Sequence, residues 1–144
     1  MPPRPFTVTA ELLVSLVVPG SAALPVRASL VYDAADPYAV RVGFRTVEGG
    51  EAVEWTFARQ LLTDGVTSPA GEGDVRTWPR SNEGEPVVCL SLTSPSGSAL
   101  FDLPVPELVE FLTMSYAAVP TGAEGHHVNV EAELAYLLGS TPEA

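Results

Sequence analysis

Alternating apolar and polar residues predict β-strands in the first part of the chain. The alternation runs through residues 6–18, 25–32, 38–46 and 51–57. A period of two places successive side chains on opposite faces, as in a strand with one buried face. In the third and clearest run, four side chains are predicted to face inward: Tyr38, Val40, Val42 and Phe44.

A short helix and three further strands are predicted to follow. Residues 58–64 form the predicted helix, and Gly65 is expected to end it as the C′ residue. Alternating runs at 74–79, 85–93 and 97–103 predict the strands. Between these runs lie the segments Asn-Glu-Gly and Ser-Pro-Ser-Gly, whose residues are typical of turns.

Helical periodicity dominates the last part of the chain. Pro106 suits the first turn of a helix, and a final helix is predicted between Asn129 and Gly139. The order of elements predicts an α+β fold with about seven mainly antiparallel strands in two sheets, packed with three helices. Apolar residues at three- and four-residue intervals predict the buried stripe of the first of these two helices: Val105, Leu108, Val109, Leu112 and Tyr116.

Length and composition suit one cytoplasmic domain. The 144 residues, 46% of them hydrophobic, are enough to bury a core. We expect a single domain over residues 6–139, an N-terminal extension at 1–5 and a C-terminal tail at 140–144. A single cysteine cannot form an internal disulfide, which fits a reducing compartment. We find no signal-peptide pattern and no apolar run of about 18 residues, so direct membrane insertion is not expected.

The charge disfavours nucleic acid as a ligand. The net charge is −11, and lysine is absent, so all seven basic residues are arginines. Cations placed on phosphates supply most of the non-specific affinity for nucleic acid. A chain this acidic would repel that ligand unless one face were locally basic. Clustering of Arg27, Arg41 and Arg45 on one sheet face would favour the nucleic-acid alternative.

No group of residues predicts catalysis, a metal site or a cofactor. His126-His127 lacks further ligands at a suitable spacing, and Cys89 lies at a strand position where a buried, inert thiol is expected. Asp33 and Asp36 are explained better as turn-capping residues than as an acid–base pair. We therefore expect a protein that is not an enzyme, with no catalytic, cofactor-binding or metal-binding residue.

One helix face is predicted to bind a partner protein. On a wheel of 100° per residue, Met114 falls with Glu107 and Glu110, opposite the predicted buried stripe. An outward methionine is often unremarkable, but it is also an adaptable contact for another chain. Glu124 completes the predicted partner-binding set. Formation of a homo-oligomer would cover exposed apolar surface of this kind.

Three strings of residues resemble one family. They are Tyr32–Val40, Val53–Leu62 and Gly73–Pro79. In this order and spacing they resemble the SsgA-like proteins of sporulating actinomycetes, and the resemblance extends over roughly Val8 to Leu138.

This resemblance implies a non-enzymatic regulator of sporulation-specific cell division that acts by protein–protein interaction. Such a protein positions the septum and, acting with SsgA-type division proteins, recruits the tubulin-like division protein FtsZ. It is expected to be cytoplasmic and to be recruited to division septa. The resemblance also implies a whirly-like fold and a homotrimer. Because whirly proteins bind single-stranded nucleic acid, a whirly-like nucleic-acid-binding protein is the alternative function, although the acidic charge opposes it.

Overall fold

Seven strands and two helices make up residues 7–125, the part of the chain that the computed structural model describes. Each of the seven predicted strands is present, with ends that differ from the prediction by no more than a few residues. In chain order the elements are β1 (Thr7–Val17), β2 (Leu24–Asp33), β3 (Ala39–Thr46), β4 (Val53–Ala58), α1 (Arg59–Gly65), β5 (Val75–Asn82), β6 (Glu85–Ser94), β7 (Gly97–Pro104) and α2 (Val105–Ala118).

The strands form one antiparallel sheet, so the prediction of two sheets is wrong. The order across the sheet is β4-β3-β2-β1-β7-β6-β5. Strand β1 joins the two halves because it is long. It pairs with β2 from Thr7 to Leu16 and with β7 only at its end, from Ser15 to Val17. The third predicted helix, which begins at Asn129, lies outside the described residues.

The core lies on one face of this sheet, with both helices packed against it. In β3 the predicted inward residues Val40, Val42 and Phe44 are buried, together with Gly43, whereas Tyr38 is 55% exposed. That part of the prediction is wrong because β3 begins at Ala39, and Tyr38 lies in the preceding turn, where its carbonyl accepts a hydrogen bond from the Arg59 N–H. The largest fully buried apolar side chains come from seven elements: Val14, Leu30, Tyr32, Val40, Val42, Leu62, Val88, Leu90, Leu103, Leu108 and Phe111.

Helix α2 buries a stripe that differs from the predicted one. Its buried residues are Leu108, Phe111, Leu112 and Ser115, while Val109 is 39% exposed. The stripe keeps the spacing of three and four residues but passes through a serine, which a search for apolar residues overlooks. Burial of this serine is possible because its hydroxyl donates a hydrogen bond to the Leu112 carbonyl at 2.7 Å.

Helix α1 includes Gly65, which therefore is not the C′ residue that the sequence predicted. Gly65 is buried within the helix, and the C-cap is Val66 with a right-handed φ of −64°. A Cβ atom at Gly65 would lie 2.4 Å from the Thr77 Oγ1 atom. The glycine is thus required by close packing of α1 on β5 rather than by a left-handed turn.

Candidate interaction surfaces

A shallow groove between α2 and β1 contains three of the four predicted partner-binding residues. Met114 is 56% exposed, and Glu107 and Glu110 are exposed beside it. Together with Phe111 and residues 8–12 of β1, these side chains line a volume of about 150 Å³. The helical spacing therefore identified residues that share one accessible surface. Their binding to a partner remains a prediction.

Glu124, the fourth residue of that set, forms contacts within the chain. Its Oε2 atom accepts a hydrogen bond from Arg59 Nη2 at 3.0 Å, and its Oε1 atom accepts one from the Gly122 N–H at 2.8 Å. Its side chain is 13% exposed. Hydrogen bonds from backbone N–H groups, opposed by partial burial and supported by Arg59, lower the pKa of Glu124 below its ordinary value.

Arg59 is the centre of a buried polar cluster that sequence reasoning missed. Only 1% of the residue is exposed. Its guanidinium lies over the ring of Tyr32, 4.6 Å from the centroid, and over the ring of Tyr116, at 3.9 Å. Such cation–π contacts stabilise a desolvated cation. Tyr32 and Tyr116 lie 27 and 57 residues from Arg59 along the chain, so no local spacing indicated them.

The same arginine fastens the C-terminal end of α2 to the start of α1. Its Nη1 atom donates to the Ser115 carbonyl at 3.1 Å and to the Val119 carbonyl at 2.9 Å. The Ser115 carbonyl also accepts a hydrogen bond from the Val119 N–H at the helix end, whereas the Val119 carbonyl lies beyond the last helical hydrogen bond. Burial, which outweighs the nearby Arg59 charge, raises the pKa of Tyr32 to about 12. The cluster is therefore a structural junction, with no exposed group available for chemistry.

Arg27, Arg41 and Arg45 lie on the face of the sheet opposite the core. Arg27 of β2 is directly opposite Arg45 of β3 in the strand register. Arg41 precedes Arg45 by four residues on the same strand, so both side chains point to the same face. Glu11 of β1 forms an ion pair with Arg27 at 3.5 Å. Glu54 of β4 lies opposite Gly43 and therefore on the same face, so the three arginines share this face with Glu11 and Glu54.

A buried carboxylate occupies the same side of β7. Asp102 lies opposite Cys89 of β6, and its Oδ2 atom accepts a hydrogen bond from Arg80 Nη2 at 2.8 Å. Its Oδ1 atom has no hydrogen-bond partner among the described residues. Burial, together with the negative charge of Asp102, raises the pKa of the Cys89 thiol to about 11. Cys89 is buried as predicted, and this environment opposes the thiolate form that reactivity requires.

An apolar cavity of about 430 Å³ opens at one end of the sheet. Its rim carries Arg45, Glu51 and serines of the β6–β7 turn, but neither histidine nor cysteine. The lining therefore offers no activated nucleophile with a base. Its apolar walls come from both halves of the sheet: Leu16, Val26, Phe44, Trp55, Leu92 and Phe101.

The remaining candidates add no reactive site to residues 7–125. In this range no group of three or more His, Cys, Asp or Glu residues is arranged to hold a metal ion. Asp33 Oδ1 accepts a hydrogen bond from the Ala35 N–H at 2.9 Å, which is the turn-capping role predicted for it. His126-His127 lies outside the described residues. No described helix is long and apolar enough to cross a membrane.

Comparisons with known proteins place these surfaces on a cell-division protein. The SsgA family, described as Streptomyces sporulation and cell division protein, matches residues 26–124. The sporulation-specific cell division protein SsgB of Frankia casuarinae is 54% identical over 140 residues, covering 97% of each chain. SsgB of Streptomyces coelicolor is 47% identical, covering 94% of this chain and 98% of that protein.

A solved structure shows the same fold. The SsgA-like sporulation-specific cell division protein from Thermobifida fusca matches with a TM-score of 0.85 and 43% identity, covering 91% of this chain and 95% of that one. The resemblance indicated by the three sequence strings is therefore confirmed, and so is the mainly antiparallel seven-stranded architecture. The chain belongs to the SsgA family of sporulation and cell division proteins and has a role in sporulation-specific cell division.

Proposed function

We propose that this protein is a non-enzymatic regulator that positions the sporulation septum by binding other proteins, and that it recruits FtsZ with SsgA-type division proteins. It acts in the cytoplasm and at division septa. Family membership supports the division role, and the described residues offer contact surfaces rather than a reactive site. The observation that carries the proposal is the α2 surface, where Met114 is 56% exposed between two glutamates.

Exposed methionine on a well-packed helix favours a contact role. Leu108, Phe111 and Leu112 already anchor α2 in the core, so Met114 is not needed for packing of the helix. Its flexible thioether adapts to the shape of a partner, and the neighbouring glutamates supply orientation by charge. This combination is typical of a protein-binding surface.

Co-sedimentation with polymerised FtsZ tests the proposal, with and without purified SsgA. We expect the wild-type chain to pellet with the polymer and Met114→Glu to pellet less. The matched control is Val47→Glu, because Val47 is also exposed, at 41%, but lies in the β3–β4 turn. Absence of wild-type association at every salt concentration, in the presence or absence of SsgA, would contradict recruitment.

We also propose a whirly-like, homotrimeric assembly of the chain. Its support is the family resemblance together with exposed apolar side chains on strands and on α2, including Leu13 at 63% and Val53 at 62%, which association would cover. Light scattering on the purified protein measures the subunit number directly. A monomer over the accessible concentration range would contradict this part of the proposal.

Binding of single-stranded nucleic acid is the second candidate function. The specific observation in its favour is the shared sheet face of Arg27, Arg41 and Arg45. Titration of the protein with labelled single-stranded nucleic acid tests this candidate function. If phosphates are bound there, affinity appears at low salt, falls steeply as salt rises, and decreases in Arg41→Gln. Absence of binding at low salt removes this candidate.

A further inference from the structure

One edge of β1 is without a neighbouring strand over most of its length. Strand β7 pairs only with Ser15–Val17, whereas β2 covers the opposite edge from Thr7 to Leu16. Within residues 7–125, therefore, no strand pairs with the second edge of Thr7–Val14. Alternate N–H and C=O groups of this segment face away from β2. An exposed row of such groups is a template for another strand.

The open edge borders the groove of α2. Strand β7 ends at Pro104, and the chain continues directly as α2. The helix packs against β1, so β7 does not continue its pairing along this edge. Val8 and Ala10 are half-buried, and Leu12 is 3% exposed. The space between this edge and Met114 is therefore apolar on its inner side. An added strand would place alternate side chains toward this inner side and toward solvent.

The acidic side chains around the groove favour a basic segment as its occupant. Glu107 and Glu110 are exposed and have no ion-pair partner in the described part of the chain. Glu11 also lines the groove and is partly neutralised by Arg27. No arginine lines it. Because the whole chain carries −11, an acidic strand from a second copy is a poorer match than a basic segment.

We propose that the Thr7–Val14 edge of β1 accepts an extended segment of a partner protein in which basic and apolar residues alternate. Main-chain hydrogen bonds to β1 give the affinity, an apolar side chain packs by Met114, and the basic residues face Glu107 and Glu110. This is strand addition to an open sheet edge. The inference deepens the proposed recruiting function and rests on it for the identity of the partner.

A designed peptide tests the edge directly. The probe is a fluorescent, end-blocked octapeptide of alternating arginine and valine, and its control is the same peptide with every backbone nitrogen methylated. Methylation keeps the charge but removes the donors. Because several main-chain hydrogen bonds are lost together, we expect at least about tenfold weaker binding. Hydrogen exchange should slow at alternate amides of Thr7–Val14 only with the unmethylated peptide.

A double variant and a control variant test whether Glu107 and Glu110 attract the basic residues of the peptide. Glu107→Gln combined with Glu110→Gln should weaken peptide binding. Glu72 is exposed in the loop between α1 and β5, so Glu72→Gln should leave binding unchanged. Equal affinity for both peptides, or slowed exchange elsewhere in the chain, overturns the inference. So does protection of Thr7–Val14 that rises with protein concentration alone, since a second copy then occupies the edge.

The outcomes also distinguish this inference from recruitment itself. If FtsZ co-sediments while the peptide leaves Thr7–Val14 unprotected, the recruiting function stands and the edge proposal fails. If the peptide binds as expected while FtsZ does not co-sediment, the edge is a docking site and the partner differs from FtsZ.

Discussion

The rings of Phe44 and Phe101 are stacked, with centroids 4.1 Å apart and planes inclined by 11°. Their strands, β3 and β7, are separated in the sheet by β2 and β1. Since neighbouring strands lie about 4.8 Å apart, a flat sheet would hold these residues about 14 Å apart. The contact therefore shows that the sheet curls until its two halves face each other.

Loss of this contact should destabilise the whole domain. Phe44→Ala and Phe101→Ala are each expected to lower the free energy of unfolding by about 3–5 kcal/mol, because each removes a buried aromatic ring. A double-mutant cycle should show a coupling of about 0.5–1.5 kcal/mol from the stacked geometry. Urea unfolding followed by fluorescence measures all four proteins.

The control for this pair is Val53→Ala. Val53 lies opposite Phe44 in the register but is 62% exposed, so its loss should change the free energy of unfolding by only about 0.5 kcal/mol or less. Additive effects of the two phenylalanine substitutions would contradict a stabilising contribution from the contact between the sheet halves.

Local sequence patterns predicted the elements but not their arrangement across the sheet. Strands follow from alternation, which depends on neighbours two residues apart. The single sheet depends on pairing of Leu16 with Phe101, 85 positions later in the chain. No local pattern encodes such a contact. Two groups of strands separated by a helix therefore looked like two sheets.

The candidate surfaces also include residues that local spacing predicted and residues that it could not. Met114, Glu107 and Glu110 were grouped correctly because helical spacing determines which side chains share a face. The partnership of Arg59 with Glu124 was missed because it joins separate elements. A charged residue at the start of a helix usually faces solvent. The burial of Arg59 is explained by the rings of Tyr32 and Tyr116 together with its hydrogen bonds to Glu124 and to the carbonyls at the end of α2.

Two glycines provide matched tests of packing. In Gly65→Ala, the new methyl group would lie 2.4 Å from Thr77 Oγ1 and 2.6 Å from Thr77 Cβ, so α1 must shift from β5. We expect a loss of about 1–3 kcal/mol. In Gly43→Ala, the nearest atom is the Ala52 Cβ at 3.5 Å, an ordinary contact, so stability should be kept. Thermal unfolding compares the two, and equal midpoints would contradict the tight approach at Gly65.

The Cys89 thiol should resist modification in the native protein. With its pKa raised to about 11 by burial and by Asp102, about one thiol in a thousand is ionised at pH 8. We expect negligible reaction with Ellman's reagent before unfolding and one thiol per chain after addition of urea. The control Val47→Cys places a second thiol at an exposed turn position, where it should react at once. Comparable native rates at both positions would contradict the buried setting.

The ion pair between Glu124 and Arg59 should make stability depend on acid pH. The pKa of Glu124 is lowered in the folded state by backbone hydrogen bonds and by Arg59. Its stabilising contribution is therefore complete above the ordinary pKa of about 4.5 and is lost as the pH falls through the lower folded value. Glu124→Gln removes the charge at every pH, and at pH 7 should cost about 1–3 kcal/mol.

The difference between wild type and Glu124→Gln isolates this effect from the other carboxylates. Urea unfolding from pH 7 to pH 3 should show the two stabilities converging on the acid side, because protonated Glu124 and glutamine are both neutral. Glu72→Gln, at an exposed loop position, should run parallel to wild type throughout. A gap for Glu124→Gln that stays constant with pH would mean that the carboxylate charge does not hold Arg59, and that the other hydrogen bonds of the cluster alone stabilise the junction of α1 and α2.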